Sequence, residues 1–211
     1  MKRFPFLLFA LGVTASSSSQ SVVYDNTTTS LHNNFPLLPG WRNQSAEVGD
    51  EIWLGGTDRT VVGLKLLFWY RGSDTGTFDA RIRFRPVDLS QRPGDPIYSS
   101  DMFLALPAVE GMNEYNFAIP NIVVPDRFVW TIEAFNRQGL IDELGPAYYN
   151  PPTVGWSDDF FWQSDLGSEW INYSWGGDPY ANFAATLTAV PEPATIFAIV
   201  TGVALFRRRR R

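Results

Sequence analysis

The strictest alternation in the chain is Phe78-Asp79-Ala80-Arg81-Ile82-Arg83-Phe84-Arg85, with Phe78, Ala80, Ile82 and Phe84 on one face and Asp79, Arg81, Arg83 and Arg85 on the other. A period of two predicts a strand with one dry and one wet face. Val61 to Tyr70 is apolar at both parities, with Leu64, Leu66 and Phe68 opposite Leu67 and Trp69, and predicts a central strand covered on each side. Gly72 to Gly76 lies between these two runs and predicts a hairpin joining them. Shorter strands are expected at Val22 to Tyr24, Glu51 to Leu54, Ile97 to Phe103, Tyr115 to Ile119, Phe128 to Phe135, Phe160 to Gln163, Trp170 to Ser174 and Asn182 to Leu187. Breakers separate them, among them Arg92-Pro93-Gly94-Asp95-Pro96, Asn150-Pro151-Pro152 and Gly176-Gly177-Asp178-Pro179. Short strands at this spacing, with almost no helical period, predict an all-β, antiparallel two-sheet sandwich of jelly-roll type over residues 22–188.

Both ends break the pattern. Lys2 and Arg3 precede an apolar stretch, Phe4 to Val13, and a small-residue run Thr14-Ala15-Ser16. Charge, short apolar core and small-residue exit are the parts of a secretory signal, cleaved after Ala15 or within Ser16 to Ser19. Such a signal implies the Sec translocon and signal peptidase as partners. Residues 16–21 are a polar leader, expected to be disordered. At the other end Val190-Pro191-Glu192-Pro193 is followed by thirteen uncharged residues, Ala194 to Phe206, and then by Arg207, Arg208, Arg209, Arg210 and Arg211. Arginines stay on the cytoplasmic side of a membrane, which places the β domain outside. Pro191 and Pro193 cannot carry a helix backward, so the tripeptide is expected to be an exposed hinge.

This tail resembles the PEP-CTERM sorting signal of Gram-negative bacteria, in which Pro-Glu-Pro precedes a membrane helix and a basic cluster. The resemblance implies that Pro191, Glu192 and Pro193 are read by an exosortase, that residues 189–211 are a sorting tail held briefly in the inner membrane, and that the product passes to the cell envelope or the extracellular polysaccharide matrix. Thirteen helical residues reach about 20 Å, short of the ~30 Å hydrocarbon core. Snorkelling arginines and local thinning cover part of the gap, and a weakly held span suits a transient anchor.

Composition narrows the chemistry. Of the 17 basic residues, seven lie in the two ends and ten remain; of the 22 acidic residues only Glu192 is lost and 21 remain. The domain between them is therefore near −11, which argues against nucleic acid as a partner because phosphate backbones are met by basic surfaces. Cysteine is absent, so there is neither a disulfide nor a thiolate site. His32 is the only histidine and Lys65 the sole lysine after the signal, lying inside the Val61 to Tyr70 strand. Neither supplies a histidine metal site or a nucleophile-base pair, and no glycine-rich phosphate loop is present.

What remains is carboxylates and aromatic rings. A glycosidase needs two carboxyl groups across a cleft, for which Glu133, Asp142, Glu143, Asp158 and Asp159 are the candidates; Asp158 and Asp159, adjacent and extended, would point to opposite faces. Solvated charge is the commoner origin of such acids. The segment 156–175 holds Trp156, Phe160, Phe161, Trp162, Trp170, Tyr173 and Trp175 interleaved with Asp158, Asp159, Asp165, Glu169 and Asn172. Exposed rings beside amides and carboxylates suit sugar faces and hydroxyls, whereas buried rings would only fill the core. A calcium ion would suit oxygen ligands at Asp158, Asp159 or Asp178, although no loop spacing specifies one; no other cofactor is expected. Arg81, Arg83 and Arg85 form a basic stripe, to be neutralised by acids on neighbouring strands or by an anionic polysaccharide. The leading expectation is a non-enzymatic envelope or matrix protein acting structurally or in adhesion, followed by a carbohydrate-binding module and then by a carboxylate hydrolase.

Overall fold

The computed structural model describes residues 19–37, 47–140, 142–163 and 168–192, and these residues form strands without a helix. In chain order the strands are β1 (Ser21–Asp25), β2 (Ser30–Asn34), β3 (Glu47–Trp53), β4 (Thr60–Tyr70), β5 (Gly76–Pro86), β6 (Tyr98–Ser99) and β7 (Phe103–Ala108). They continue as β8 (Gly111–Val123), β9 (Arg127–Gln138), β10 (Leu144–Tyr149), β11 (Trp156–Ser157), β12 (Phe160–Gln163), β13 (Ile171–Tyr173) and β14 (Ala185–Val190). All pairings are antiparallel and fall into two sheets. The secretory signal, Pro193, the apolar run 194–206 and Arg207 to Arg211 lie outside the described residues, and among those described no helix is long and apolar enough to cross a membrane.

In the six-stranded sheet, β4 pairs with β8 along one edge and with β14 and then β10 along the other; β1 extends β14 and β2 extends β10. In the eight-stranded sheet the order is β13-β12-β3-β9-β5-β6, with β11 on β3 and β7 on β5. The Phe78 alternation behaves as its period predicts: Phe78, Ala80, Ile82 and Phe84 are fully buried, whereas Arg81, Arg83 and Arg85 lie on the opposite face.

The hairpin expected between β4 and β5 does not form. β4 belongs to the six-stranded sheet and β5 to the eight-stranded one, so residues 71–75 carry the chain across the core. The reason lies in the dry faces. Leu64, Leu66, Phe68 and Tyr70 are buried against the face that Phe78 to Phe84 bury, and Phe68 stacks on Phe78 at 6.1 Å between ring centroids, with Tyr115 edge-on to both at 5.4 Å. Apposed across a sandwich, the two apolar faces cover each other; side by side in a hairpin they would need a third element to cover both. Nor is β4 covered on each side. Its second face carries the ion pair of Lys65 with Glu114, a half-buried Leu67 beside Ala147, Tyr149 and Ala184, and the exposed Trp69.

Two boundaries also differ. Ser21, expected in a disordered leader, begins β1 and donates a hydrogen bond from Oγ to Asp58 at 2.6 Å. β14 runs through the buried Ala189 to Val190, so the sheet ends directly against Pro191, which is exposed together with Glu192.

Candidate functional site

The outer face of the eight-stranded sheet is set by the parity of β3. Val48, Asp50 and Ile52 point into the core, leaving Glu47, Glu51 and Trp53 on the outside. Directly across on β9 the same face carries Glu133, Thr131 and Arg127, and on β5 it carries Arg81, Arg83 and Arg85.

The basic stripe is neutralised within this face. Arg83 donates to Glu47 at 2.7 Å and to Glu133 at 2.8 Å, Arg85 reaches Glu47 at 3.1 Å, and Arg81 stands 3.9 Å from Glu133. Thr131 Oγ1 adds a hydrogen bond to Glu47. Of the two explanations for the stripe, pairing with neighbouring acids is the one observed. Glu133, one of the carboxylate candidates, is buried and paired with Arg83 and Arg81.

Beside this network a groove of about 440 Å³ opens, lined by Glu51, Arg127, Asp158, Phe161, Trp170, Asn172 and the loop residues Ser90, Gln91 and Arg92. The loop is held in shape by Asp88, whose side-chain Oδ1 accepts from the amides of Ser90 (2.8 Å) and Arg92 (2.9 Å), while its own amide donates to Arg92 O at 2.8 Å. Short polar side chains that bond the backbone a few residues ahead are the ordinary means of fixing such a turn. Arg92 then crosses to pair with Glu169, next to Trp170; this ion pair raises the Arg92 guanidinium and lowers the Glu169 carboxyl relative to their ordinary values. Trp170 itself lies over the Arg85 guanidinium, 5.3 Å from carbon to ring centroid. On the far side Arg127 pairs with Glu51 and covers the Trp53 ring at 4.7 Å. Trp156, the cross-strand partner of Trp53, meets that ring edge-on at 4.3 Å and is 42% exposed.

The six aromatic and acidic candidates therefore divide between two places. Trp170 and Asp158 line the groove, and Trp156 stands at its margin through Trp53. Trp162 packs against the core beside Phe35 at 6.1 Å, and Trp175 closes the open end of the core on Tyr148 at 4.8 Å, so neither faces the groove. Asp158 and Asp159 diverge as extended neighbours should: Asp159 is buried and accepts from the Ala181 amide at 2.8 Å, whereas Asp158 turns outward. Glu143 pairs with Arg71 at 3.6 Å, and Asp142 adjoins it in the connection from β9 to β10; neither lines the groove.

Glu51, Arg92 and Arg127 belong to the groove and were not singled out by sequence. The usable signal was parity: Glu47, Glu51 and Trp53 share one face of a strand whose other face is apolar at Val48 and Ile52. Burial pushes the Glu51 carboxyl above its ordinary value, opposed by the hydrogen bond and charge of Arg127 and reinforced by Asp158. Chemically the groove offers the rings of Trp170 and Phe161, two guanidinium groups, two carboxylates, an amide at Asn172 and the polar groups of Ser90 and Gln91. Among the described residues no group of three or more His, Cys, Asp or Glu side chains is arranged to hold a metal ion. Comparison of the chain with protein-family models, with curated proteins and with solved structures finds no match.

Proposed function

We propose that the chain is an exported, non-catalytic envelope or matrix protein, delivered through Sec and sorted by an exosortase-type enzyme, and that its β domain works by holding extracellular polysaccharide in the Trp170 groove. The observation that carries the binding reading is the composition of that groove: a half-buried tryptophan backed by a guanidinium, facing Arg92, Arg127, Asp158 and Asn172 across about 440 Å³. A ring face receives the C–H side of a sugar, and fixed polar groups around it give orientation. The volume lies within the ~300–1,000 Å³ range of small-molecule sites, enough for a short stretch of a polymer. The sorting reading rests on Pro191, Glu192 and Pro193 with Arg207 to Arg211.

Affinity electrophoresis through gels containing alginate, xanthan, dextran or hydroxyethyl cellulose tests the binding. Retardation in at least one gel is expected, and Trp170→Ala should weaken it about tenfold, the loss of roughly 1.4 kcal/mol. Unretarded migration in every gel, or retardation indifferent to Trp170→Ala, would remove the groove from the account.

A second reading has one specific observation in its favour: Glu51, with its carboxyl raised by burial, and Asp158 share the groove. Unequal carboxyl groups in one cleft are the pattern of glycoside hydrolysis. Against it, the Arg127 ion pair holds Glu51 Oε1 and favours the ionised carboxylate. Release of reducing sugar that disappears in Glu51→Gln would nevertheless decide for a hydrolase.

A further inference from the structure

The opposite outer face of the sandwich, on the six-stranded sheet, carries a second groove of about 250 Å³. Its wall is Trp69 with Met112, direct cross-strand partners on β4 and β8 that are 41% and 39% exposed. Its floor is Asn34, the last residue of β2, which is 5% exposed and whose side-chain Nδ2 has no hydrogen-bond partner. Asn33, Arg71 and His32 form the rim. They are held in place: Arg71 donates to Asn33 Oδ1 at 3.3 Å, the same oxygen accepts from the Asn34 amide at 2.9 Å, and the His32 amide donates to Ser30 Oγ at 3.0 Å. His32 has φ of 55°, a left-handed conformation that a histidine seldom adopts and that turns the strand at the rim.

A buried amide donor left unmade is costly, and Asn34 is the one such side chain among the described residues that lines this groove. An acceptor that enters by displacing the rim side chains recovers the bond, since the nitrogen is closed to water. The groove therefore asks for a ligand with one apolar face to lie on Trp69 and Met112 and with acceptor oxygens at its edge for Asn34 and the rim. Its volume is below the ~300–1,000 Å³ of sites for drug-sized molecules, so a single ring fits and a long segment does not. We infer that this face is a second saccharide site, which takes one pyranose residue between Trp69 and Asn34. Resting on the reading of the Trp170 groove as the first site, the chain is bivalent: the two grooves lie on opposite outer faces of one sandwich, so one molecule bridges two polysaccharide chains.

The test uses the ¹⁵N-labelled protein titrated with methyl glucopyranoside, galactopyranoside, mannopyranoside and glucuronide. Saturable shifts of the Trp69 indole N–H and the Asn34 side-chain amide are expected with at least one probe, lost in Trp69→Ala and retained in Trp170→Ala. Should Trp69→Ala fail to fold, Asn34→Leu removes the donor at similar size and must abolish the same shifts. Absence of shifts at both residues with all four glycosides, or shifts that survive Trp69→Ala and Asn34→Leu, overturns the second site. Bridging is read separately as turbidity with the polymer that retards the wild type. Each single change, Trp69→Ala or Trp170→Ala, should abolish turbidity while the other face still binds. Glycoside shifts without turbidity, together with polymer retardation indifferent to Trp170→Ala, would leave the Trp69 site standing and overturn bivalency through the first groove alone.

Discussion

At the scale of single residues, polar groups out of reach of water are the sensitive points. Glu47 and Glu133 are nearly inaccessible and share Arg83, whose own side chain is only 11% exposed. Removing one partner from a buried ion pair leaves an uncompensated charge, whereas removing the whole set need not destabilise. Arg83→Ala leaves Glu47 with Arg85 and Glu133 with only the 3.9 Å contact to Arg81, and should lower the unfolding free energy by up to about 3 kcal/mol, measured by urea denaturation. Recovering that loss requires neutralising the network together, with Arg83→Met, Arg85→Met, Glu47→Gln and Glu133→Gln, because Arg85 would otherwise lose Glu47. Asp50 is a different case, because it points into the core opposite Trp130 and has only the Phe183 amide, at 3.0 Å, on Oδ2. Burial raises its carboxyl well above the ordinary value, with Glu51, Asp159 and Asp158 adding to the effect and the Phe183 amide opposing it. A carboxyl raised in the folded state keeps a proton that the unfolded chain has already released. Its contribution to stability is thus present below the ordinary pKa near 4 and is lost as pH rises toward the folded value. Asp50→Asn cannot ionise and still offers Phe183 an acceptor. It should melt at least about 2 °C higher than the wild type near neutral pH and match it near pH 4, as followed by calorimetry.

At the scale of elements, what the chain spells locally and what it leaves to pairing separate cleanly. β12 coincides with Phe160 to Gln163 as read from the sequence, and β5 with its strict alternation. β2 (Ser-Leu-His-Asn-Asn) and β10 (Leu-Gly-Pro-Ala-Tyr-Tyr) carry no such period, because their extended form comes from pairing with each other and with β4. The misplaced hairpin has the same origin: alternation tells which face of β4 and β5 is dry, but whether two dry faces lie side by side or face to face is decided by the rest of the sheet. The groove shows this at the level of function. Trp170 and Asp158 were visible as an aromatic and acidic cluster, while Glu51, Arg92 and Arg127 come from three distant segments that only β3–β9–β5 pairing brings together. One glycine tests that pairing directly. A Cβ on Gly49 would stand 1.9 Å from Trp130 O and 2.7 Å from the Thr131 Cα, backbone that cannot step aside. Gly49→Ala should force β3 from β9 and cost about 3 kcal/mol in urea unfolding. Retardation in polysaccharide gels should fall with it, since Glu51 and Arg127 meet across the same pair of strands.

At the scale of the whole molecule, β14 is the strand that leads from the sandwich into the C-terminal tail. This strand lies between β1 and β4, ends at Val190 and meets exposed Pro191 without a spacer. Proline has no amide to donate to a ladder, so the sheet stops there for a local reason. The arrangement makes a concrete demand on sorting. On the proposed sorting route, an enzyme that reads Pro191, Glu192 and Pro193 would have to approach within a residue of the folded sheet. Replacing the three residues by alanine leaves β14, the core and both grooves untouched. The protein should then melt as before and bind polysaccharide as before, yet keep its C-terminal tail in the inner-membrane fraction, whereas the proposed sorting has the wild type shortened and released outward. Mass spectrometry of fractionated cells measures both properties at once. A replacement that reaches the same compartment at the same mature mass would show that the tripeptide is only the end of a strand, and that export of this acidic sandwich depends on the N-terminal signal alone.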